Sequence, residues 1–352
     1  MSAGALAWAV RARAPRWVLA AVLLAAAVLM GASIGETPIP PATVLQVLAN
    51  RMFGAGYVLD PIDAGIVWNY RLSRAVLAAC CGASLAVSGV VLQALLRNAL
   101  ADPYIMGISA GASTGAVAVT IAGVGAGAVS LSAGALAGAL TAFALVALLA
   151  RAAGAQASAA RGGAAQIVLA GVAGSQLFHA LTSLIITKSA NADQARGILF
   201  WLLGNLGGAR WEDTLLALPV ALAGTLLIAA HARALDAFTF GAGSAAALGI
   251  AVRRVQALLI AVAALLTAVM VSIAGSIGFV GLVIPHAARL LVGVRHARLI
   301  PAAALSGAVF LVAADILSRT LIPGQVLPIG VVTALAGAPA FALILVRGPR
   351  QR

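Results

Sequence analysis

RLSRAVLAACCGASLAVSGVVLQALLRNALADPYIMGISAGASTGA, residues 71–116, decides the fold. Two arginines precede an apolar run over 75–96, the polar knot RNALADP follows, and a second apolar run begins at 105. An apolar run of about 20 residues matches a hydrocarbon core of about 30 Å. Lipid offers nothing to free backbone N–H and C=O groups, so such a run must be a helix. The stretch therefore predicts two spanning helices joined by a short polar turn.

Working outward, the same unit recurs. Apolar runs fall at 17–35, 75–96, 105–124, 128–150, 164–187, 212–231, 254–275, 278–294, 300–319 and 327–346. The expectation is an all-α polytopic membrane protein with about ten transmembrane helices, forming a single domain over 1–352. Composition agrees: 63% of residues are hydrophobic and 9% charged, against about 25% charged in a soluble domain. Mean hydropathy is +1.09.

The net charge of +13 raises nucleic acid as a partner, but its distribution excludes that reading. The arginines sit at span ends and make no basic face. With the N-terminus inside, alternate gaps collect Arg11, Arg13, Arg16, Arg97, Arg151, Arg161, Arg233, Arg253, Arg254, Arg289, Arg295, Arg298, Arg347, Arg350 and Arg352, which is 15 of the 22 Lys+Arg. Arg51, Arg71, Arg74, Lys188, Arg196, Arg210 and Arg319 fall outside. This asymmetry places both termini in the cytoplasm. The first apolar run is longer than a signal-peptide h-region and reads as an uncleaved helix.

Three connections exceed a tight turn. The outer one at 36–74 contains Thr43–Phe53, a short helix at the interface. In the outer Ser189–Trp211, the apolar middle Ile198–Leu206 is too short to span and reads as a surface or re-entrant helix. The inner Ala232–Arg253 reads as two short helices with glycine turn points at Gly241, Gly243 and Gly249. Gly107, Gly111 and Gly115, with Gly134 and Gly138, repeat every four residues and point to close helix packing. Cys80 and Cys81 are adjacent and carry no disulfide or metal spacing, so they read as core or lipid-facing filler.

A phosphate-binding loop needs Gly-x-x-x-x-Gly-Lys-[Ser/Thr]. The chain's one lysine, Lys188 in LIITKSA, has no such frame, so the chain does not bind ATP in that way, and if transport is ATP-driven the motor is a separate subunit. Asp315 and Arg319 lie one turn apart near the outer end of the ninth span, in the favourable order for a structural salt bridge. Arg71 and Arg74 share a helix face at the outer mouth, suited either to snorkelling or to paired carboxylate contacts. In RNALADP, Asn98 and Asp102 can cap a turn and Pro103 blocks continuation of the helix. That segment is a capped turn, a cytoplasmic constriction or a motor contact. His179 and His286 read as hydrogen-bonded packing residues, and His231 and His296 as interfacial. No cofactor is expected.

The 71–116 stretch resembles the FecCD-type permeases of ABC importers for iron chelates and cobalamin. FWLLGNLGGARW (200–211), AGSIGFVGLVIPHAARLLVG (274–293) and LPIGVVTALAGAPAFALIL (327–345) are similar to further stretches of that family. The resemblance implies a homodimer around one pathway, an ATP-binding subunit dimer below and a periplasmic substrate-binding protein above, in a bacterial inner membrane. It implies that Arg71, Arg74 and Arg319 dock the binding protein, and that Asn98 and Leu100 belong to the cytoplasmic gate. Phe240, Gly241, Ala245, Leu248 and Gly249 would form the ATPase-coupling segment, within about 233–253. Gly241 is followed by Ala242 where an acidic residue is usual, Ala99 stands where proline is common, and Ala164 and Ala165 stand where the family often has a polar gate. Helices five and ten would line the pathway, with Gly171, Gly174 and Gly337 keeping it smooth. The expected cargo is a ferric siderophore, with haem and cobalamin as alternatives. An ion-coupled carrier is disfavoured because acidic residues deep in the bundle are lacking, with Asp315 near the end of its span and Glu212 and Asp213 at the very start of theirs, and an intramembrane enzyme because no paired acid/base motif occurs.

Overall fold

The computed structural model describes residues 14–125, 127–154, 163–189 and 191–347. Arg11, Arg13, Arg161, Arg350 and Arg352 lie outside the described residues, as do the side chains of Arg16, Ala164 and Arg347. The described chain is helical, with no strand among the described residues. The helices are α1 (Ala14–Ser33), α2 (Pro41–Phe53), α3 (Pro61–Leu95), α4 (Ile108–Thr120), α5 (Leu131–Ala152), α6 (Gly163–Ser189) and α7 (Ala192–Leu202). They continue as α8 (Trp211–Ala230), α9 (Ala232–Phe238), α10 (Ala242–Ala247), α11 (Val252–Ala274), α12 (Val280–Val292), α13 (His296–Thr320) and α14 (Ile329–Arg347).

Each apolar run coincides with a helix, but their lengths differ. Six helices are long and apolar enough to cross a bilayer: α3, most of α6, and α5, α8, α11 and α13. The apolar parts of α1, α4, α12 and α14 are shorter, at Val18–Ser33, Ile108–Thr120, Val280–Val292 and Ile329–Leu343. The second helix also starts earlier than the 75–96 run indicates. It begins at Pro61, N-capped by Asp60, and passes through a π turn at Ile66–Leu72.

α3 is the central post. Every residue from Ser73 to Ala94 except Val76 and Ala83 is buried, as expected of a helix apolar all round. Cys80 and Cys81 sit in this core. Its neighbours approach through glycines. A Cβ on Gly89 would lie 1.9 Å from the Gly281 carbonyl oxygen, and one on Gly82 would lie 2.0 Å from that of Gly307. The glycine repeat joins α4 to α5 in the same way, with Gly111 on the Gly138 carbonyl and Gly115 on that of Gly134. Gly171 and Gly174 are also spent on packing, against Ile105 and Val146, and Gly337 faces the Phe279 ring. All three are buried, Gly171 against backbone and Gly174 and Gly337 against side chains, so they do not line an open pathway within this chain.

α4 and α12 are half-length because both begin partway along α3. Gly281, at the start of α12, meets Pro103 and the Leu85 carbonyl, midway along α3. The non-helical backbone before α12 is satisfied by protein, as burial in lipid requires. The Tyr104 hydroxyl donates to the Ile277 carbonyl at 3.0 Å and accepts from the Ile277 N–H at 2.9 Å. Ser109 and Ser276 share a hydrogen bond of 2.9 Å, and Gln93 Nε2 donates to the Gly281 and Leu282 carbonyls.

Candidate functional site

Charge gathers at one end of the bundle, the end that the sequence reading puts outside. The Asp315 carboxylate is fully buried, and it accepts from Arg74 Nε at 2.6 Å and from Arg319 Nη2 at 2.8 Å. The i,i+4 salt bridge read from the sequence is therefore present, with Arg74 as a second cation. Arg319 also donates to the Ile34 and Gly31 carbonyls, and Arg71 to those of Ser33 and Thr37. These are the last carbonyls of α1 and the start of the following loop. Helix ends leave such acceptors without partners, and cations there also suit the helix dipole.

Arg71, Arg74 and Arg319 are thus 5, 9 and 7% exposed. All three are held by partners within the chain. Arg71 and Arg74 do not act as a pair. Arg71, in the π turn, faces α1, while Arg74 faces α13. The deciding partners are backbone carbonyls and one distant aspartate, which residue spacing cannot reveal.

The opposite end, which the sequence reading puts inside, carries the second constellation. Asn98 Oδ1 accepts from the Leu100 N–H at 2.9 Å, and Asp102 Oδ1 from the Tyr104 N–H at 2.8 Å. Leu100 is 50% exposed. α9 and α10 are the two short helices expected of the inner connection, and Gly241 makes the turn between them with φ +102°. Phe240 and Leu248 are 78 and 73% exposed, and Gly249 is exposed too, whereas Ala245 is wholly buried. Ala245 anchors the segment to the bundle and does not offer a contact.

Two residues here carry weight that sequence reasoning missed. The Arg97 guanidinium lies beside Gly241, bringing the RNALADP loop against the turn between α9 and α10, and Arg97 itself has φ +50°. Asp236 of α9 accepts from the His296 N–H at 2.9 Å and pairs with His296 Nδ1 at 2.7 Å. His296 is therefore buried and tied to α9, not interfacial. Asp-to-His contact across 60 residues leaves no local signal. His231 Nδ1 instead meets the Leu227 carbonyl.

Between the ends, an open apolar groove of about 430 Å³ is lined by Leu202, Leu203, Ser276, Gly330, Val331, Ala334 and Leu335. α7 forms one wall and is the short outer helix expected near Ile198–Leu206, shifted earlier by its Asn191–Gln194 capping box. His179 is exposed on α6, with no hydrogen bond among the described residues, so the packing role expected of it is not seen. No group of three His, Cys, Asp or Glu side chains converges among the described residues.

This geometry matches known proteins over nearly its whole length. The chain is 40% identical to the ABC transporter permease protein YvrB of Bacillus subtilis, over 95% of this chain and 94% of that protein. It is 39% identical to the cobalamin import system permease protein BtuC of Halobacterium salinarum, over 95 and 96%. It is 37% identical to the Fe(3+) dicitrate transport system permease protein FecD of Escherichia coli, over 80 and 85%. A solved inward-facing metal-chelate-type ABC transporter superposes with a TM-score of 0.80 at 29% identity, over 95% of this chain and 99% of the other. The FecCD transport family model matches residues 23–347, so the chain belongs to that family of membrane permease subunits of ABC transporters.

Proposed function

We propose that this chain carries an iron chelate, with ferric siderophore as first choice, from periplasm to cytoplasm across a bacterial inner membrane. It acts as a single ten-crossing domain over residues 1–352, with both termini cytoplasmic. Two copies form the pathway, an ATP-binding subunit dimer drives it, and a periplasmic binding protein feeds it. The observation that carries this reading is the inner turn. A multi-pass bundle with no nucleotide-binding loop holds out Phe240 and Leu248 on a turn braced by Asp236–His296 and Arg97. Exposed apolar side chains on a braced turn suit a cleft in a motor subunit. Asn98 and Leu100 gate the pathway beside that turn, so motor movement at Gly241 reaches the gate through Arg97.

At the outer end, the arginine–aspartate cluster orders the rim on which the binding protein rests. Arg71 is the residue that gains from docking, since a partner's carboxylate would replace neutral carbonyl acceptors with a charged one. Arg74 and Arg319 already share Asp315 and chiefly support the rim. Cobalamin is the second reading, supported by the 39% identity to a cobalamin permease.

Reconstituting the chain with its ATP-binding subunits and binding protein in vesicles tests this. ATP-dependent accumulation of a radiolabelled ferric siderophore, undiminished by excess cobalamin, is the expected result. Accumulation against a gradient by the chain alone would overturn the importer reading, and competition by cobalamin would overturn the cargo.

A further inference from the structure

α2 has three faces of different chemistry. At about 100° per residue, Val44, Val47 and Leu48 share one face. They pack on Ala32, Ile39, Val67 and Leu72, which also bury Val44 and Val47. Leu45, Ala49 and Met52 share a second face, and Phe53, at the end of the helix, lies between it and the third; Leu45, Met52 and Phe53 are 59, 64 and 81% exposed. Thr43, Gln46 and Asn50 occupy the third, polar face, which is half-buried, with Asn50 hydrogen-bonded to the Tyr57 backbone in the following loop. A helix resting on a protein in water needs two faces, one inward and one wet. A third face, apolar yet uncovered, needs a third medium.

The surroundings identify that medium. α2 follows seven residues after α1, an apolar helix whose Val22 and Met30 are 56 and 54% exposed, and the two helices touch. Arg51, on α2, places its guanidinium 5.8 Å from the Trp68 ring centroid. Trp68 stacks at 5.0 Å on Trp211, whose Nε1 donates to the Trp68 carbonyl. Trp211 is the first residue of the spanning helix α8. Tryptophan and arginine at a span end mark the headgroup level, so α2 lies at that level.

We propose that α2 lies along the line where protein, lipid and water meet, with Leu45, Met52 and Phe53 sunk in the outer leaflet. Gln46 and Asn50, both half-buried, lie on the polar side of that line. Such a helix binds by buried apolar area, and it holds the rim ordered by Arg71 and Arg319 at a fixed height on the bilayer. The leaflet named rests on the orientation proposed above, whereas the burial of this face in lipid does not.

Spin labels test it, placed singly at Leu45→Cys, Gln46→Cys, Met52→Cys and Phe53→Cys in the full chain, in phosphatidylethanolamine–phosphatidylglycerol vesicles. Cys80 and Cys81 are buried and stay in place. Labels at 45, 52 and 53 should collide severalfold more with lipid-soluble oxygen than with a water-soluble nickel chelate, and the label at 46 should show the reverse. Nickel accessibility at 45, 52 and 53 equal to that at 46 would overturn the proposal in favour of a wet docking surface. Protection of all three from both reagents would overturn it in favour of a protein contact, including a second copy. Val22→Cys is the lipid control, and an aqueous signal there would overturn the membrane orientation of the whole outer end.

Discussion

Asp315→Asn should destabilise the protein more than any exposed substitution, because it strands two buried cations at almost constant volume. Asp315 is fully buried and holds Arg74 and Arg319 at 2.6 and 2.8 Å. Arg319 keeps the Gly31 and Ile34 carbonyls after the change, whereas Arg74 keeps Ser318 Oγ at 3.4 Å. Most of the loss therefore falls on Arg74. Removing one partner of a buried pair costs about 3–5 kcal/mol, so the unfolded-to-folded ratio should rise by about 10²–10⁴. Reversible unfolding in mixed micelles measures it. The double variant Arg74→Met with Asp315→Leu should return most of the loss, since well-packed apolar replacements of a buried pair are often neutral. If Asp315→Asn lies within about 0.5 kcal/mol of the parent, the range of surface changes, the cluster is not an electrostatic unit.

The remaining predictions are these. Gly89→Ala should destabilise by about 1–3 kcal/mol or reduce the folded yield, because its Cβ would meet the Gly281 carbonyl. Gly243→Ala, with nothing within 4 Å, is the neutral control in the same unfolding assay. Phe240→Ala with Leu248→Ala should weaken co-purification of the ATP-binding subunits by about 2 kcal/mol or more while the isolated chain unfolds as before. Burial pushes the Asp102 carboxyl, in the inner loop, from 3.8 up to about 6, and the Tyr104 N–H opposes this. A raised acid favours the fold below its unfolded value, and that contribution is lost as pH rises through 3.8 to about 6. Asp102→Asn should flatten stability across that window, as read by unfolding at a series of pH values.

Much of the fold is legible in the sequence because lipid is a simple solvent. Every apolar run became a helix, and the small-residue repeat at Gly107–Gly115 packed as its period indicates. The turn between α9 and α10 was legible too, since Gly241 marks a backbone conformation that other residues avoid. Boundaries failed where protein replaced lipid as the surroundings. α12 starts late because Tyr104 and Gln93 satisfy irregular backbone at Ile277, Gly281 and Leu282 inside the bundle. The roles of Gly171, Gly174 and Gly337 were misread for a related reason, since a glycine in a sequence does not say which neighbour it admits.

The sequence by itself determined that this chain lives in a membrane, that its helices pack closely and where its inner turn lies. Hydrophobicity, charge bias and glycine spacing act locally along the chain, so they can be read from it. Only the tertiary structure decided what the charges do. It turned Arg71 and Arg319 onto the end of α1, gave Arg74 to Asp315 and tied Asp236 to His296. A buried charge takes whichever partner the packing brings within about 3 Å, and such partners can be hundreds of residues away along the chain.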